Sequence, residues 1–121
     1  MPWQLAICRF APDAPLPAWV LHAAAEFWSM TRTPHELSVV CSEDDLPPAV
    51  ETAERDWRAF AVEGPLAFDL TGVVSGLTTP LAAAGIPVFV VSTHDTDYVL
   101  VRSGDSEKAS AILAGAFELR R

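Results

Sequence analysis

The chain has 121 residues, half of them hydrophobic, and its 16 acidic side chains against 8 basic ones give a net charge of -8. This apolar fraction favours folded structure with a sizeable core over a disordered chain. The acidic balance disfavours nucleic acids and anionic membrane surfaces as partners, because both would repel the protein.

The beginning of the chain, MPWQ, lacks the basic region and the long apolar region of a signal peptide. No apolar run approaches the ~20 residues that span a bilayer. Cys8 and Cys41 each lie in an apolar run, so we expect buried, reduced side chains, with a disulfide or a two-cysteine metal site as the alternatives. These features together predict a cytoplasmic protein.

Strand-like runs and breaks alternate in the first half of the chain. The pattern predicts strands at 3–10, 27–33 and 38–41 and a short helical stretch at 19–25. Three prolines between 11 and 17 exclude regular structure there. The acidic segment 42–56 contains two adjacent prolines and is the expected connection between two units, 1–55 and 56–121.

The second half begins with a predicted strand at 57–63 and continues into a helix. Asp69 is the expected N-cap, and Gly85 is the expected stop. Pro80 predicts a kink, or a second helical segment that starts at Thr79. The helix is recognised by one apolar stripe with helical spacing: Leu70, Val73, Val74, Leu77 and Leu81.

Two further strands, 87–93 and 97–102, are separated by the hairpin-length segment 94–96 and are followed by a turn and a closing helix. The resulting β-α-β-β-α order predicts an α+β fold, with helices on one face of a mainly antiparallel sheet. The residues expected in its core are Val74, Leu77, Leu81, Val88, Val90, Val99, Ile112 and Leu113.

Two six-residue segments resemble each other at an offset of 59 residues. The first, HELSVV at 35–40, and the second, HDTDYV at 94–99, each follow a predicted strand ending in threonine and lead into another strand. Polar hairpin turns favour Asp, Ser and Thr in any case, so two unrelated turns are the alternative. A true repeat predicts two related units with a ligand site at their interface.

Four stretches of the sequence carry a resemblance: TPHELSVV at 33–40, EGPLAFDLTG at 63–72, LAAAGIPVF at 81–89 and STHDTDYVLV at 92–101. Together they resemble the ACT domain family, and in particular its small bacterial members and the cytosolic arginine sensors of animals. The resemblance implies ferredoxin-like βαββαβ units that are used in pairs and bind a free amino acid between them.

The resemblance also implies which residues contact the ligand. One unit contributes a His-x-x-Ser-Val segment. The other contributes the loop entering its first helix and a strand-turn-strand segment, in which His94 replaces an aromatic residue of the arginine sensors. The candidate ligand-binding residues are His35, Ser38, Val39, Asp69, Thr71, Gly72, Val73, His94 and Asp97.

These residue types suit a free amino acid. Asp97 and Asp69 can receive an ammonium group or a cationic side chain. The N–H groups of 71–73, at the start of a helix, can receive a carboxylate. Arginine is the first candidate ligand, because the chain is acidic and resembles the arginine sensors.

The same polar turn also matches a catalytic triad and a metal site by residue type, and we consider both predictions weaker. Ser92, His94 and Asp95 match a hydrolase triad by type, but neighbours along a strand point to opposite faces, so we expect His94 and Asp95 to diverge. His94, Asp95 and Asp97 with His35 form a poor zinc set, because they lack a ligand-pair spacing. We expect no enzyme, no metal and no cofactor.

The main prediction is therefore an amino-acid-binding regulatory or sensor domain. The alternative is a ligand-free protein-interaction or dimerisation module, in which the polar turn only closes a hairpin and the sheet edges pair with another chain. In either case we expect a homodimer, because unpaired sheet edges seek partners.

Overall fold

A computed structural model describes the backbone of residues 3–62, 73–114 and 119–120, and the side chains of these residues except 62, 73–77 and 119–120. Two compact units are present. The N-terminal unit comprises residues 3–57, and the C-terminal unit is formed mainly by residues 58–121.

The N-terminal unit contains strands, one short helix and a 3-10 turn. In chain order these are β1 (Leu5–Phe10), α1 (Ala18–Leu21), β2 (Ser29–Arg32), β3 (Leu37–Ser42), the 3-10 turn Glu43–Asp45 and the beginning of β4 (Glu54–Val62). The strand order is β2-β3-β1-β4, and each pairing is antiparallel. The three prolines between β1 and α1 keep that connection irregular, as predicted.

The pairing of β1 with β4 contains a bulge. Leu5 lies opposite Trp57, whereas Ile7 lies opposite Glu54, so β4 uses one more residue than β1 over this stretch. The bulge lies just before the point at which β4 leaves the N-terminal unit. It also explains why β4 begins three residues before the predicted strand at 57–63.

Asp56 gives the bulge its geometry. Its φ of 65° is left-handed, a conformation that side chains other than glycine adopt at a cost. Two hydrogen bonds hold it in place: its N–H donates to the Glu43 carboxylate at 2.7 Å, and its carboxylate accepts from the Gln4 side chain at 3.0 Å. A short polar side chain with local hydrogen bonds therefore takes the place of glycine.

The two faces of this sheet differ. One face packs with α1 to form the core of the N-terminal unit, which consists of Ala6, Cys8, Val20, Leu37, Val39, Cys41 and Leu46. Because side chains alternate along a strand, Leu5, Ile7 and Val40 lie on the opposite face, where they are also buried. Arg9 and Ser38 continue that second face toward the end of the strands.

The C-terminal unit contains the rest of β4 followed by two helices and three strands. These are α2 (Val73–Ala83), β5 (Phe89–Ser92), β6 (Asp97–Arg102), the 3-10 turn Ser103–Asp105, α3 (Ser106–Ala114) and β7 (Leu119–Arg120). The strand order is β4-β6-β5, and β7 also pairs with β4. The described registers, β4 with β7 and β5 with β6, are antiparallel.

Helix α2 runs through Pro80 without a break, so the second of the two predicted alternatives, a new segment starting at Thr79, is wrong. A proline removes its own N–H donor and its ring crowds the carbonyl four residues earlier, but the next residue, Leu81, is fully buried in the core, which favours the continuous helix. The stop at Gly85 is confirmed: its φ is +74°, and the N–H of Ile86 donates to the Leu81 carbonyl at 3.0 Å, as in a Schellman motif.

The core of the C-terminal unit confirms part of the predicted set. Leu81, Val99 and Leu113 are fully buried. Val88, Val90 and Ile112 are only half-buried, and for Val90 the reason is that β5 is an edge strand whose side chains are all partly exposed. The side chains of Val74 and Leu77 lie outside the described part. The full described cluster is Phe60, Leu81, Ile86, Val99, Val101, Ala109 and Leu113.

The two units repeat the same structure at an offset of 60 residues. Adding 60 to the bounds of β2, β3 and the first 3-10 turn gives β5, β6 and the second 3-10 turn. The offset of 59 inferred from the sequence is therefore wrong by one residue. Asp95, not His94, is equivalent to His35, and Asp97 is equivalent to Leu37.

The repeat ends where α3 begins. The N-terminal unit has no helix at the equivalent place, where its sequence reads Leu46-Pro47-Pro48. Prolines lack the N–H donor, and each also disfavours helical conformation in the residue before it. The segment forms a turn instead, closed by a bond from the N–H of Val50 to the Pro47 carbonyl at 3.1 Å.

The fold is therefore α+β with antiparallel strands, as predicted. The predicted strands and helices are present, with shifted ends. Strand β7 was not predicted, because two residues are too few to show a period.

Candidate functional site

The turn between β2 and β3 fixes the first candidate segment. The hydroxyl of Thr33 accepts hydrogen bonds from the N–H groups of His35 at 3.1 Å and Glu36 at 3.2 Å. The N–H of Thr33 donates to the Glu36 carbonyl at 2.9 Å. One threonine thus closes the turn from both sides, and β3 leaves it in a defined direction.

The three candidate residues of this segment differ in what they can offer a ligand. His35 is exposed, Ser38 is half-buried, and the Val39 side chain is fully buried in the core. The backbone of β3 is engaged with strands on both sides. Within the described residues the hydroxyl of Ser38 has no hydrogen-bond partner, which makes it the most available polar group of this strand.

Arg9 braces the same segment and was not among the predicted residues. It lies directly opposite Ser38, and its Nη2 donates to the His35 carbonyl at 3.1 Å. The hydroxyl of Thr52 donates to the Arg9 carbonyl at 3.0 Å. The available sequence signal was a lone arginine in the otherwise apolar strand LAICRF.

The turn between β5 and β6 is built in the same way. The N–H and the hydroxyl of Thr93 both donate to the Thr96 carbonyl, each at 2.9 Å, and the N–H of Thr96 donates to the Thr93 hydroxyl at 3.1 Å. The second candidate segment therefore starts from a turn that matches the first in hydrogen bonding as well as in position.

The expectation that His94 and Asp95 diverge is wrong. Their side chains meet, with His94 Nδ1 and Asp95 Oδ1 at 2.7 Å. Both residues lie in the turn, not in a strand, so the alternation of strand side chains does not apply to them. Both side chains are largely exposed, at 84% and 71%, so the contact lies at the surface.

Asp97 begins β6 on the face that carries Val99 and Val101, two residues of the core. Its carboxylate is half-buried, and within the described residues no hydrogen bond or ion pair engages it. In the repeat, Ser38 is equivalent to Tyr98, not to Asp97. Ser38 and Asp97 therefore lie on opposite faces of the repeated strand, which the sequence comparison at offset 59 concealed.

The remaining candidates belong to the start of α2. Asp69, Thr71 and Gly72 lie outside the described residues. Val73 is the first residue of α2, and its side chain is not described.

Cys8 and Cys41 are both reduced and fully buried, as predicted. They lie diagonally across β1 and β3. A hydrogen bond from the Cys41 thiol lowers the pKa of Cys8. The same bond, together with burial, raises the pKa of Cys41. The pair therefore keeps one proton firmly on Cys41.

The described ranges contain no group of three or more His, Cys, Asp or Glu side chains that could hold a metal ion. They also contain no helix with the length and hydropathy needed to cross a membrane.

Two family models match the chain. One, described as the ACT domain, matches residues 52–115, which is more than half of the chain. The chain belongs to the ACT domain family. A second model, described as an N-terminal domain, matches residues 4–49. The sequence-based resemblance to ACT domains is thus confirmed.

Among similar structures, the crystal structure of a protein from Agobacterium tumefaciens is 43% identical, with a TM-score of 0.84 over 94% of this chain and 83% of that one. The ligand-free regulatory subunit of aspartate kinase from Thermus thermophilus is 17% identical, with a TM-score of 0.64 over 95% of this chain and 93% of that one. This second likeness shows the fold alone.

A curated relative is the cytosolic arginine sensor for mTORC1 subunit 1 of Bos taurus. It is 30% identical over 106 residues, which cover 79% of this chain and 32% of the sensor. The chain therefore spans about a third of the length of the arginine sensors that it matches.

Proposed function

We propose that this ACT protein binds a free amino acid in a regulatory or sensor role in the cytoplasm. The observation that carries the proposal is the partial burial of Ser38 and Asp97 together with their lack of partners among the described residues. Each is a half-buried polar side chain without a hydrogen-bond or ion-pair partner among the described residues. Each also lies in a segment that resembles a ligand-contacting segment of the arginine sensors, so both side chains are available to a ligand.

We further propose that each unit is ferredoxin-like, with the two sharing β4. The order β2-β3-β1-β4 supports this for the N-terminal unit, with β4 as its fourth strand. The order β5-β6-β4, with β7 beside β4, supports it for the C-terminal unit, with β4 as its first strand. In the N-terminal unit the second helix is replaced by the proline turn after the 3-10 turn.

In this proposal Asp97 accepts a hydrogen bond from the positive group of the ligand. Ser38 contacts the polar groups on the ligand's α-carbon. The other contacts remain those implied by the family resemblance: His35, the backbone of Val39, Asp69, Thr71, Gly72, Val73 and His94. Arginine is the first candidate, because the net charge of -8 favours a cation and because relatives are named as arginine sensors.

A thermal-shift screen with the standard amino acids tests the proposal. A ligand that binds only the folded state, at 100 times its dissociation constant, adds about 2.7 kcal/mol of stability. For a chain of this length that corresponds to roughly 8–15 °C. Ser38→Ala should abolish most of the shift. Ser110→Ala, which removes another half-buried serine hydroxyl in α3, should preserve it. A screen without any shift at millimolar concentration would refute the proposal.

The alternative function, a ligand-free interaction module, has one observation in its favour. Leu16, Leu21 and Trp28 of the N-terminal unit are exposed at 49%, 45% and 41%. Exposed apolar side chains are available to a protein partner, such as a second copy of this chain. Sedimentation at tens of micromolar, compared with the monomer mass of 13.0 kDa, distinguishes a homodimer from a monomer.

A further inference from the structure

A row of three polar side chains crosses the sheet of the N-terminal unit. Arg9 of β1 lies opposite Ser38 of β3, and Ser38 lies opposite Thr31 of β2. Side chains that oppose each other in antiparallel strands lie on the same face, with Cβ atoms about 4.5–5.5 Å apart. A guanidinium and two hydroxyls therefore stand side by side, on the face turned away from the core of this unit.

The row is open to a ligand. Arg9 and Thr31 are exposed, and Ser38 is half-buried. Within the described residues no side-chain hydrogen bond engages Ser38 or Thr31, and no carboxylate forms an ion pair with Arg9. Among the described residues, a guanidinium that forms no ion pair stands out in a chain whose acidic side chains outnumber its basic ones by 16 to 8.

The one side-chain bond that Arg9 forms within the described residues, to the His35 carbonyl, holds the guanidinium in place while leaving its other N–H groups available. Arg32 shows the contrast. Its guanidinium donates to the carbonyls of Pro12 and Ala14, and it lies opposite Leu37 on the core face. Arg32 therefore fixes the loop at Pro12 and Ala14, whereas the guanidinium of Arg9 remains available to a ligand.

The C-terminal unit does not repeat the row. At the offset of 60, the positions of Thr31 and Ser38 are occupied by Val91 and Tyr98. The shared fold therefore does not require polar side chains at these positions. Their presence in the N-terminal unit alone points to a ligand rather than to the architecture.

We infer that Arg9, Ser38 and Thr31 form a carboxylate-binding row that holds the α-carboxylate of the amino acid ligand, in place of the N–H groups of 71–73 expected from the sequence, an inference that rests on the proposed function. A guanidinium matches a planar carboxylate with two parallel hydrogen bonds, and neighbouring hydroxyls can donate to the same oxygens. The bond to the His35 carbonyl prepares the guanidinium for this contact before the ligand arrives, which lowers the entropy cost of binding.

Calorimetry tests the inference by measuring the affinities of the wild type and of variants for two ligands that differ only in the carboxylate. The ligands are the amino acid that gives the largest shift in the screen, arginine being the first candidate, and the same molecule without its carboxylate, which for arginine is agmatine. Arg9→Gln should weaken arginine binding about 10- to 100-fold. It should leave the weaker binding of agmatine unchanged, because the partner of Arg9 is already missing.

Two further variants separate binding from folding. Arg32→Gln changes the net charge by the same amount on the core face, and it should leave the affinity of arginine within about twofold. Thr31→Val keeps the shape of an exposed edge residue and should weaken arginine binding about three- to tenfold. The ligand-free melting curve of each variant confirms that it is folded.

Three results would contradict the inference, and they differ in whether the proposed function stands. Unchanged arginine affinity in Arg9→Gln and Thr31→Val would overturn the inference while the proposed function stands. An equal loss for arginine and agmatine would show that the row contacts another part of the ligand, which also overturns it. A wild-type chain that binds no amino acid would refute the proposed function itself, and the inference with it.

Discussion

Thr33 and Thr93 occupy equivalent positions in the two units and close the same turn. Each hydroxyl accepts from the backbone N–H of the residue three positions later, at 3.2 Å and 3.1 Å respectively. Each backbone N–H donates to the carbonyl of that same residue at 2.9 Å. The relation fixes the true offset of the repeat, and it places both candidate segments directly after a threonine-closed turn.

The hydroxyl of Thr33 should therefore stabilise the N-terminal unit. Thr33→Val removes the acceptor of two exposed N–H groups, and we expect it to lower the free energy of unfolding by about 1 kcal/mol. Thr33→Ser retains the oxygen and should stay within about 0.5 kcal/mol of wild type. Urea denaturation measures both, and equal losses in the two variants would show that the hydroxyl is not responsible.

Replacing Pro80 should stabilise the protein. Helix α2 continues through this residue, although a proline cannot donate to the carbonyl of Gly76 one turn earlier. Pro80→Ala restores the donor, and we expect a gain of about 1–2 kcal/mol. Pro87→Ala, in the exposed connection after the helix, serves as the control and should give no gain. A loss of stability in Pro80→Ala would show that α2 depends on the proline.

The left-handed conformation of Asp56 predicts an order among its variants. Asn keeps the acceptor for Gln4 and tolerates the conformation, and Gly removes the strain but loses the acceptor. Ala loses the acceptor and keeps the strain, so Asp56→Ala should cost about 1–2 kcal/mol, more than either of the others. Thermal unfolding of the three variants checks the order, and an Ala variant as stable as Asn would contradict it.

The buried thiols predict a dependence of stability on alkaline pH. Folding raises the pKa of Cys41, so above the ordinary thiol pKa of about 8.5 the unfolded chain releases a proton that the folded chain keeps. This contribution to the free energy of unfolding is complete below that pH. It falls above it, by at most about 1.4 kcal/mol per pH unit.

The thiol variants isolate that contribution. Cys8→Ala removes the hydrogen bond that contributes most to the raised pKa of Cys41 but leaves Cys41 buried, so it should retain only part of the alkaline loss. The double variant Cys8→Ala/Cys41→Ala should lose it, because the chain has two cysteines and this variant leaves no thiol to titrate. Urea denaturation at pH 7.5 and at pH 10 measures the difference. An alkaline loss of the same size in the double variant would assign it to another group.

Much of this fold could be predicted from the sequence. Short apolar runs predicted β1, β3, β5 and β6, and Gly85 predicted the end of α2, because these signals are local. The start of β4 and the continuity of α2 could not be predicted. The first depends on the bulge against β1, and the second depends on the packing of Leu81 in the core.

The candidate site shows the same limit more sharply. Matching the two segments by their histidines shifted the repeat by one residue, and one residue in a strand exchanges the two faces of the sheet. Ser38 and Asp97 were therefore treated as equivalent although they are not. Arg9 could not be found at all, because its place beside Ser38 depends on the register between β1 and β3.

The central claim is that the chain binds a free amino acid whose positive group is received by Asp97. Calorimetric titration of the wild-type chain and of Asp97→Asn with arginine tests it most directly. The claim predicts saturable heat for the wild type and at least about tenfold weaker binding for Asp97→Asn, with the ligand-free melting temperatures nearly equal. No heat from arginine or from any other standard amino acid, or equal affinity in the two proteins, would contradict it.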